Sequence, residues 1–217
     1  MKHILEADSI QLDFNGRVIL ADVYLKCETG KITGLLGRNG KGKSCLMQII
    51  YGSLNCGKSV RIDNLSQEKA FSPRNILYLP QFNFIPKSLS LERVFLDFEL
   101  EYATFQNRFP EFNMRSRVKI DSLSGGEQRL VSLYLIVRSK TMFAFLDEPF
   151  THLNPFQIDK VRDLLVEEKE NKGILITDHM YKNVTDISDV LYVLADGKTH
   201  LTKGMDDIER LGYAKIH

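Results

Sequence analysis

Gly37-Arg38-Asn39-Gly40-Lys41-Gly42-Lys43-Ser44 is the stretch that decides the fold. The apolar run Ile32-Thr33-Gly34-Leu35-Leu36 precedes it, and the helix-compatible run Leu46-Met47-Gln48-Ile49-Ile50 follows it. A G-x-x-x-x-G-K-S pattern between a strand and a helix is the setting of a phosphate-binding loop. Its glycines let the chain curl so that successive backbone N–H groups point at phosphate oxygens. The helix that follows adds the positive end of its dipole. Lys43 is expected to reach the β- and γ-phosphates of a nucleotide, and the Ser44 hydroxyl to ligate Mg²⁺. A plain glycine-rich turn gives no reason for Lys-Ser to follow the last glycine.

The chain around this loop has 217 residues, enough for one large domain or a core with one inserted subdomain. Hydrophobic residues make up 43% and charged residues 26%, the balance of a water-soluble globular protein. A formal net charge of +1 gives no reason to expect a nucleic acid or a membrane surface as ligand. No apolar run approaches the roughly 20 residues of a membrane span. The first residues, Met1-Lys2-His3-Ile4-Leu5-Glu6-Ala7-Asp8, lack the apolar core of a signal peptide. Cys27, Cys45 and Cys56 are odd in number and have no metal-ligand spacing, so a reduced cytoplasmic setting is expected.

Upstream of the loop, residues 3–14 and 17–27 read as two strands joined at Asn15-Gly16, the strongest short hairpin signal. Phe14 ends the first strand. Taken alone it reads as a packing residue, although an aromatic ring near a phosphate loop can also stack on a base. Downstream, the helix from Lys43 is expected to stop near Tyr51-Gly52. A short strand follows at residues 59–63, a loop over 64–75, and a compact strand Ile76-Leu77-Tyr78-Leu79 stopped by Pro80 and followed by Gln81.

From about Phe82 the texture becomes helical. Ser90 can cap a helix over residues 91–98, and charged and aromatic residues run on to Phe112. Leu123-Ser124-Gly125-Gly126-Glu127-Gln128-Arg129 then leads into a helix over residues 130–138. Glycines before a helix again expose backbone N–H groups to an anion, although a plain capped helix start fits as well.

Met142-Phe143-Ala144-Phe145-Leu146 reads as a buried parallel strand that ends in Asp147-Glu148-Pro149. Carboxylates at that end lie where α/β proteins place their ligands. Asp147 can face Mg²⁺, and Glu148 can take a proton from an attacking water. After a helix over 155–170 comes a second buried strand, residues 173–177, ending at Asp178-His179 on the same edge. Residues 190–194 and 198–202 form a final strand pair across Asp196-Gly197, and a short polar helix begins at Met205.

In order and spacing these motifs resemble the ATPase domain of the ATP-binding cassette (ABC) family over nearly the whole chain. The resemblance rests on the loop at 37–44, Gln81 after a strand, Leu123-Ser124-Gly125-Gly126-Glu127, Asp147-Glu148 and His179. Within that family Leu-Asp-Glu-Pro-Phe and Leu-Ile-Thr-Asp-His look like the branch of lipopolysaccharide-export and branched-chain amino-acid transporters. The fold implied is α/β. It has a P-loop NTPase core with a mostly parallel sheet (residues 1–81 and 140–217), an N-terminal antiparallel β subdomain and an inserted helical subdomain (82–139).

The resemblance also implies the site. ATP and Mg²⁺ are the ligands. Phe14 takes the adenine-stacking place, which reverses the packing reading. Gly37, Arg38, Asn39, Gly40, Lys41, Gly42, Lys43, Ser44 and Cys45 surround the phosphates. Ser44, Gln81 and Asp147 arrange Mg²⁺, Glu148 is the general base, and His179 contacts the γ-phosphate. Lys43 and Gln81 also take part in catalysis. Ser124, Gly125 and Gly126 bind ATP held by a second copy or a paralogous ATPase, in a head-to-tail dimer. The implied whole is the ATP-hydrolysing subunit of a transporter, working with separate transmembrane permease subunits on the inner face of the cell membrane. The alternative is a soluble ABC ATPase acting on ribosomes or DNA. Those usually carry two cassettes or a long coiled coil, and this chain has neither.

Three features depart from the family pattern. Asn154 closes Phe150-Thr151-His152-Leu153-Asn154 where an aspartate is usual, which touches coupling across the dimer. Cys45 replaces a threonine, either as a small packing residue, the favoured reading, or as an acidified, redox-sensitive thiol. Residues 82–122 are short for the segment that docks membrane subunits.

Overall fold

The computed structural model describes residues 2–66, 75–202 and 204–211. Two sheets face each other. Strands β1 (Ile4–Phe14), β2 (Arg17–Glu28), β4 (Gly57–Ile62) and β5 (Leu65–Ser66) form an antiparallel sheet in the order β2-β1-β4-β5. The second sheet holds β3 (Ile32–Leu36), β6 (Ile76–Leu79), β7 (Phe143–Asp147), β8 (Gly173–Thr177), β9 (Val190–Ala195) and β10 (Lys198–Thr202). Its order is β10-β9-β3-β8-β7-β6, parallel except for the β9–β10 hairpin. Both Asn15-Gly16 and Asp196-Gly197 take left-handed backbone at both residues, the type I′ geometry that suits twisted hairpins.

The middle strands β3, β7 and β8 are buried along their whole length. Their two-residue period divides the side chains between two cores. Leu35, Phe143, Phe145 and Leu175 point toward the antiparallel sheet and pack with Leu46, Met47, Ile49 and Ile50 of α1 (Lys43–Tyr51). Ile32, Leu36, Ala144, Leu146, Ile174 and Ile176 point the other way, into the core shared with the remaining helices. An α-helix sandwiched between two sheets explains why α1 is apolar on most of its surface.

On that second face lie α2 (Leu91–Asp97), α3 (Tyr102–Arg108), α4 (Gly125–Arg138), α5 (Pro155–Glu168), α6 (Tyr181–Thr185) and α7 (Met205–Arg210). Single 3-10 turns sit at Pro110–Phe112 and Ile120–Ser122. Ser90 Oγ accepts the Arg93 N–H at 3.3 Å and starts α2, as its sequence suggested. An aromatic cluster replaces aliphatic packing here. The buried Phe105 ring lies 4.9 Å from Phe95, 5.2 Å from Phe109, 4.7 Å from Phe112 and 4.9 Å from Tyr134, centroid to centroid. Tyr134 belongs to α4, so the cluster ties the small helices to the helix that also packs on β6 and β7.

Two expectations need correction. The helix expected over 130–138 begins five residues earlier, at Gly125. The expected loop over 64–75 contains the two-residue strand β5, and its residues 67–74 lie outside those described. The tail beyond 211 is likewise outside them.

Candidate active site

Because β3, β6, β7 and β8 run parallel, their carboxyl ends share one edge. The loop 37–44, Gln81, Asp147-Glu148 and Asp178-His179 all follow those ends, which is where an open α/β sheet forms its ligand crevice.

The first wall is the loop entering α1. Gly42 is the residue before the helix, with φ 100°, and supplies no side-chain cap. A side chain there would meet left-handed strain and would sit 2.8 Å from Ile19 Cγ2. Glycine therefore leaves the first N–H groups of α1 open toward the cleft. Lys43 is 7% exposed, and its ammonium donates to the carbonyls of Gly37 at 2.7 Å and Arg38 at 3.3 Å. Burial draws its pKa down, opposed by the negative charges of Glu148, Asp147 and Asp178. The loop thus holds a buried cation on two of its own carbonyls, within the influence of three carboxylates.

Asp147 is 1% exposed at the end of β7, with both oxygens engaged. Tyr78 donates its hydroxyl to Oδ2 at 2.8 Å, and Gln81 Nε2 donates to Oδ1 at 3.1 Å. Burial first, and then the Asp147 charge, push the Tyr78 hydroxyl well above its ordinary pKa, so it stays a donor. The same Gln81 nitrogen donates to Ser44 Oγ at 2.9 Å. One amide therefore bridges the serine hydroxyl and the carboxylate. Turning that amide over would present its oxygen in place of its nitrogen. Hydroxyl, amide oxygen and one carboxylate are hard donors of the kind Mg²⁺ takes beside nucleotide phosphates, so the residues fit that ion. Among the described residues no group of three or more His, Cys, Asp or Glu could hold a different, nitrogen- or sulfur-rich metal.

Glu148 adopts φ 51°, a left-handed backbone that costs a non-glycine residue about 1 kcal/mol. Its N–H donates to the Thr177 carbonyl at 2.8 Å, binding the turn after β7 to the end of β8. Its carboxylate lies 3.7 Å from Nδ1 of His179, which is half-exposed. Asp178 is fully buried and accepts N–H bonds from Phe150 at 3.1 Å and Met180 at 2.8 Å. It fixes the two turns that carry Glu148 and His179.

Phe14, Gly40, Lys43, Gln81 and Glu148 line one cleft of about 460 Å³, the size of a small-ligand site. Phe14 is 50% exposed at its mouth, in reach of a flat ring and not committed to the core. Cys45 shares the lining and packs against the apolar core, and burial raises its thiol pKa. Packing is therefore its structural role, and the acidified-thiol reading finds no support.

Ser124, Gly125 and Gly126 lie elsewhere, in a second hollow shared with His152, Asn154 and Gln157. Ser124 Oγ accepts the Glu127 N–H at 3.3 Å and Glu127 Oε2 accepts the Ser124 N–H at 2.8 Å, a complete capping box. Gly126 allows a close approach: an added Cβ would stand 2.5 Å from the His152 carbonyl oxygen. Asn154 caps α5 in the same reciprocal way, its side-chain oxygen accepting the Gln157 N–H at 2.9 Å. Asparagine thus keeps the acceptor an aspartate would supply and gives up only the charge.

Sequence reasoning missed two residues. Tyr78 reads as one more aromatic in a strand, and nothing in its spacing marks a hydroxyl aimed at Asp147. Arg129 enters the sequence only as the end of the glycine motif, yet the residue is 3% exposed and its guanidinium donates to the carbonyls of Pro80, next to Gln81, and of Glu148.

Residues 20–151, more than half of the chain, match the ABC transporter family profile. The chain is 29% identical over 214 residues to the lipopolysaccharide export system ATP-binding protein LptB of Haemophilus influenzae, covering 90% of this chain and 88% of that protein. It is 26% identical over 227 residues to the galactose/methyl galactoside import ATP-binding protein MglA of Fusobacterium nucleatum, covering 96% of this chain but 45% of that longer protein. Among solved structures, an ATP-binding subunit of an ABC transporter superposes with a TM-score of 0.80 at 22% identity, covering 97% of this chain and 94% of that one. That likeness establishes the fold.

Proposed function

We infer the function from one premise: the chain belongs to the ABC transporter family, and is an ATP-binding, ATP-hydrolysing subunit of a transporter. On that premise we propose a role for each residue of the site. The adenine ring of ATP stacks on Phe14. The N–H groups of residues 37–44 and the Lys43 ammonium hold its β- and γ-phosphates. Ser44, Gln81 and Asp147 would hold Mg²⁺, which supplies neutralising charge to the phosphate oxygens. Glu148 accepts a proton from water as the water oxygen attacks the γ-phosphorus and the bond to the β–γ bridging oxygen breaks, leaving ADP and inorganic phosphate. His179, 3.7 Å from that carboxylate, orients toward the γ-phosphate. We also assign the helical subdomain to residues 82–139 and the nucleotide-binding core to the segments on either side of it.

Ser124, Gly125 and Gly126 lie outside the cleft, in a hollow of their own, which supports reading them as half of a different site. We propose that a second copy, or a paralogous ATPase, supplies the missing half in a head-to-tail dimer around two ATP. Binding ATP only in the closed form makes the nucleotide itself the stabiliser of that form. Among the described residues no helix is long and apolar enough to cross a membrane. We propose that the chain works with separate membrane-spanning permease subunits and sits peripherally on the cytoplasmic face.

The observation that carries the reading is the convergence of Lys43, Ser44, Gln81 and Glu148 on one cleft, with Asp147 held behind Gln81 by a hydrogen bond. Its test is ATP turnover by Glu148→Gln. Turnover should fall by roughly 10³-fold, in the range of a lost general base, with ATP binding unchanged. Parent-like hydrolysis would remove Glu148 from the role.

A further inference from the structure

The buried guanidinium of Arg129 has no part in these steps. It sits on α4, five residues after Ser124, and its fork ends on main chain alone. Nη1 donates to the Pro80 carbonyl at 2.5 Å. Nη2 donates to the Asp147 carbonyl at 2.5 Å and to the Glu148 carbonyl at 2.9 Å. The first of these groups immediately precedes Gln81. The other two belong to the residues proposed to hold the metal and to activate water.

We propose that Arg129 is a positioning residue that sets the backbone of Gln81 and of Asp147-Glu148 from the glycine-motif helix, and so aims the general base. The inference rests on the roles proposed for Gln81 and Glu148. The geometry argues for it in two ways. Glu148 holds left-handed backbone, which persists only where neighbours over-determine it. Its N–H is tied to Thr177 and its carbonyl to Arg129, so both flanking peptide groups are pinned. Second, three carbonyls diverging from two loops match a planar guanidinium with donors in a rigid fork, and a single ammonium cannot span them.

The arrangement also links the two half-sites. The helix whose start is proposed to meet the partner's ATP holds, a turn or so on, the backbone of its own chain's base.

The experiment uses the full chain with ATP and Mg²⁺, comparing Arg129→Ala and Arg129→Lys with the parent in kcat, KM, equilibrium ATP binding and thermal melting. Arg129→Ala should lower kcat by about 100-fold, the cost of a misplaced reacting group, with ATP binding within about threefold of the parent. Guanidinium chloride at roughly 10 mM should restore at least about tenfold of that loss by refilling the fork. Arg129→Lys should lose about tenfold in kcat. A folded Arg129→Ala with parent-like kcat would overturn the proposal. So would a loss matched by an equal loss of ATP binding, or one that guanidinium leaves untouched, since either assigns Arg129 to fold support alone. Should the alanine variant not fold, an unchanged kcat in Arg129→Lys overturns it. Parent-like turnover in Glu148→Gln would refute the base assignment instead, a distinct result.

Discussion

Two helices in this chain start from glycine-rich turns, and they are finished differently. The start of α1 has a left-handed glycine and no side-chain cap, so its leading N–H groups face the cleft unmet by any side chain of their own. The start of α4 is closed by its own residues: Ser124 and Glu127 cap each other, and Arg115 pairs with Glu127. Burial alone would raise the Glu127 pKa, but the Arg115 guanidinium and the Ser124 N–H outweigh it and hold it below the ordinary value. One helix start leaves its N–H groups to be met from outside the helix, as the proposed phosphate site requires. The other is stable as built and presents a surface. Under the proposed function the two similar motifs stand in different relations to the nucleotide, one within the chain and one across an interface.

The sharpest way to break the comparison is at Lys43. Lys43→Ala removes a charged donor from the open helix start, so ATP affinity should fall by at least roughly tenfold, about 1.5 kcal/mol or more in equilibrium titration. Undiminished binding would mean the first loop is not the receptor. Gly126→Ala comes next. The new methyl would meet the His152 carbonyl at 2.5 Å, and that oxygen is backbone, so the loop before α5 must shift. Turnover should drop by roughly tenfold or more through misalignment, while equilibrium ATP binding by the single chain stays at the parent value. Equal losses in both assays would place Gly126 in the first site and erase the distinction. The smallest effect belongs to Ser124→Ala. It removes a cap that α1 never had, and thermal melting should report about 1 kcal/mol of lost stability. A variant as stable as the parent would show that the capping box contributes nothing to the finished surface.

Legibility in the sequence depends on whether a signal is local. The apolar runs of β3, β7 and β8 are written in consecutive residues, and so are the hairpins at Asn15-Gly16 and Asp196-Gly197; which side chain faces which core is not. The start of α4 was not, because Gly125 and Gly126 carry poor helix propensity and read as loop. In the first turn that penalty is offset by the Ser124–Glu127 box, whose S-x-x-E spacing was present in the sequence. Phe14 taken alone reads as packing, and only the family resemblance gives it the stacking place; its half-exposure at the cleft leaves its ring free for the role proposed above. Tyr78 and Arg129 were beyond reach for a different reason. Their partners are Asp147 and three backbone carbonyls, brought near by strand order and by no pattern in the sequence.

The central claim is that the open start of α1 and the finished start of α4 meet around one ATP only when two chains come together. Sedimentation of Glu148→Gln with and without saturating ATP and Mg²⁺ tests it directly. The expected result is a single-chain mass without nucleotide, twice that mass with ATP, and return to the single chain when Gly126→Ala is added. A Glu148→Gln chain that binds ATP and still sediments as a monomer would contradict it.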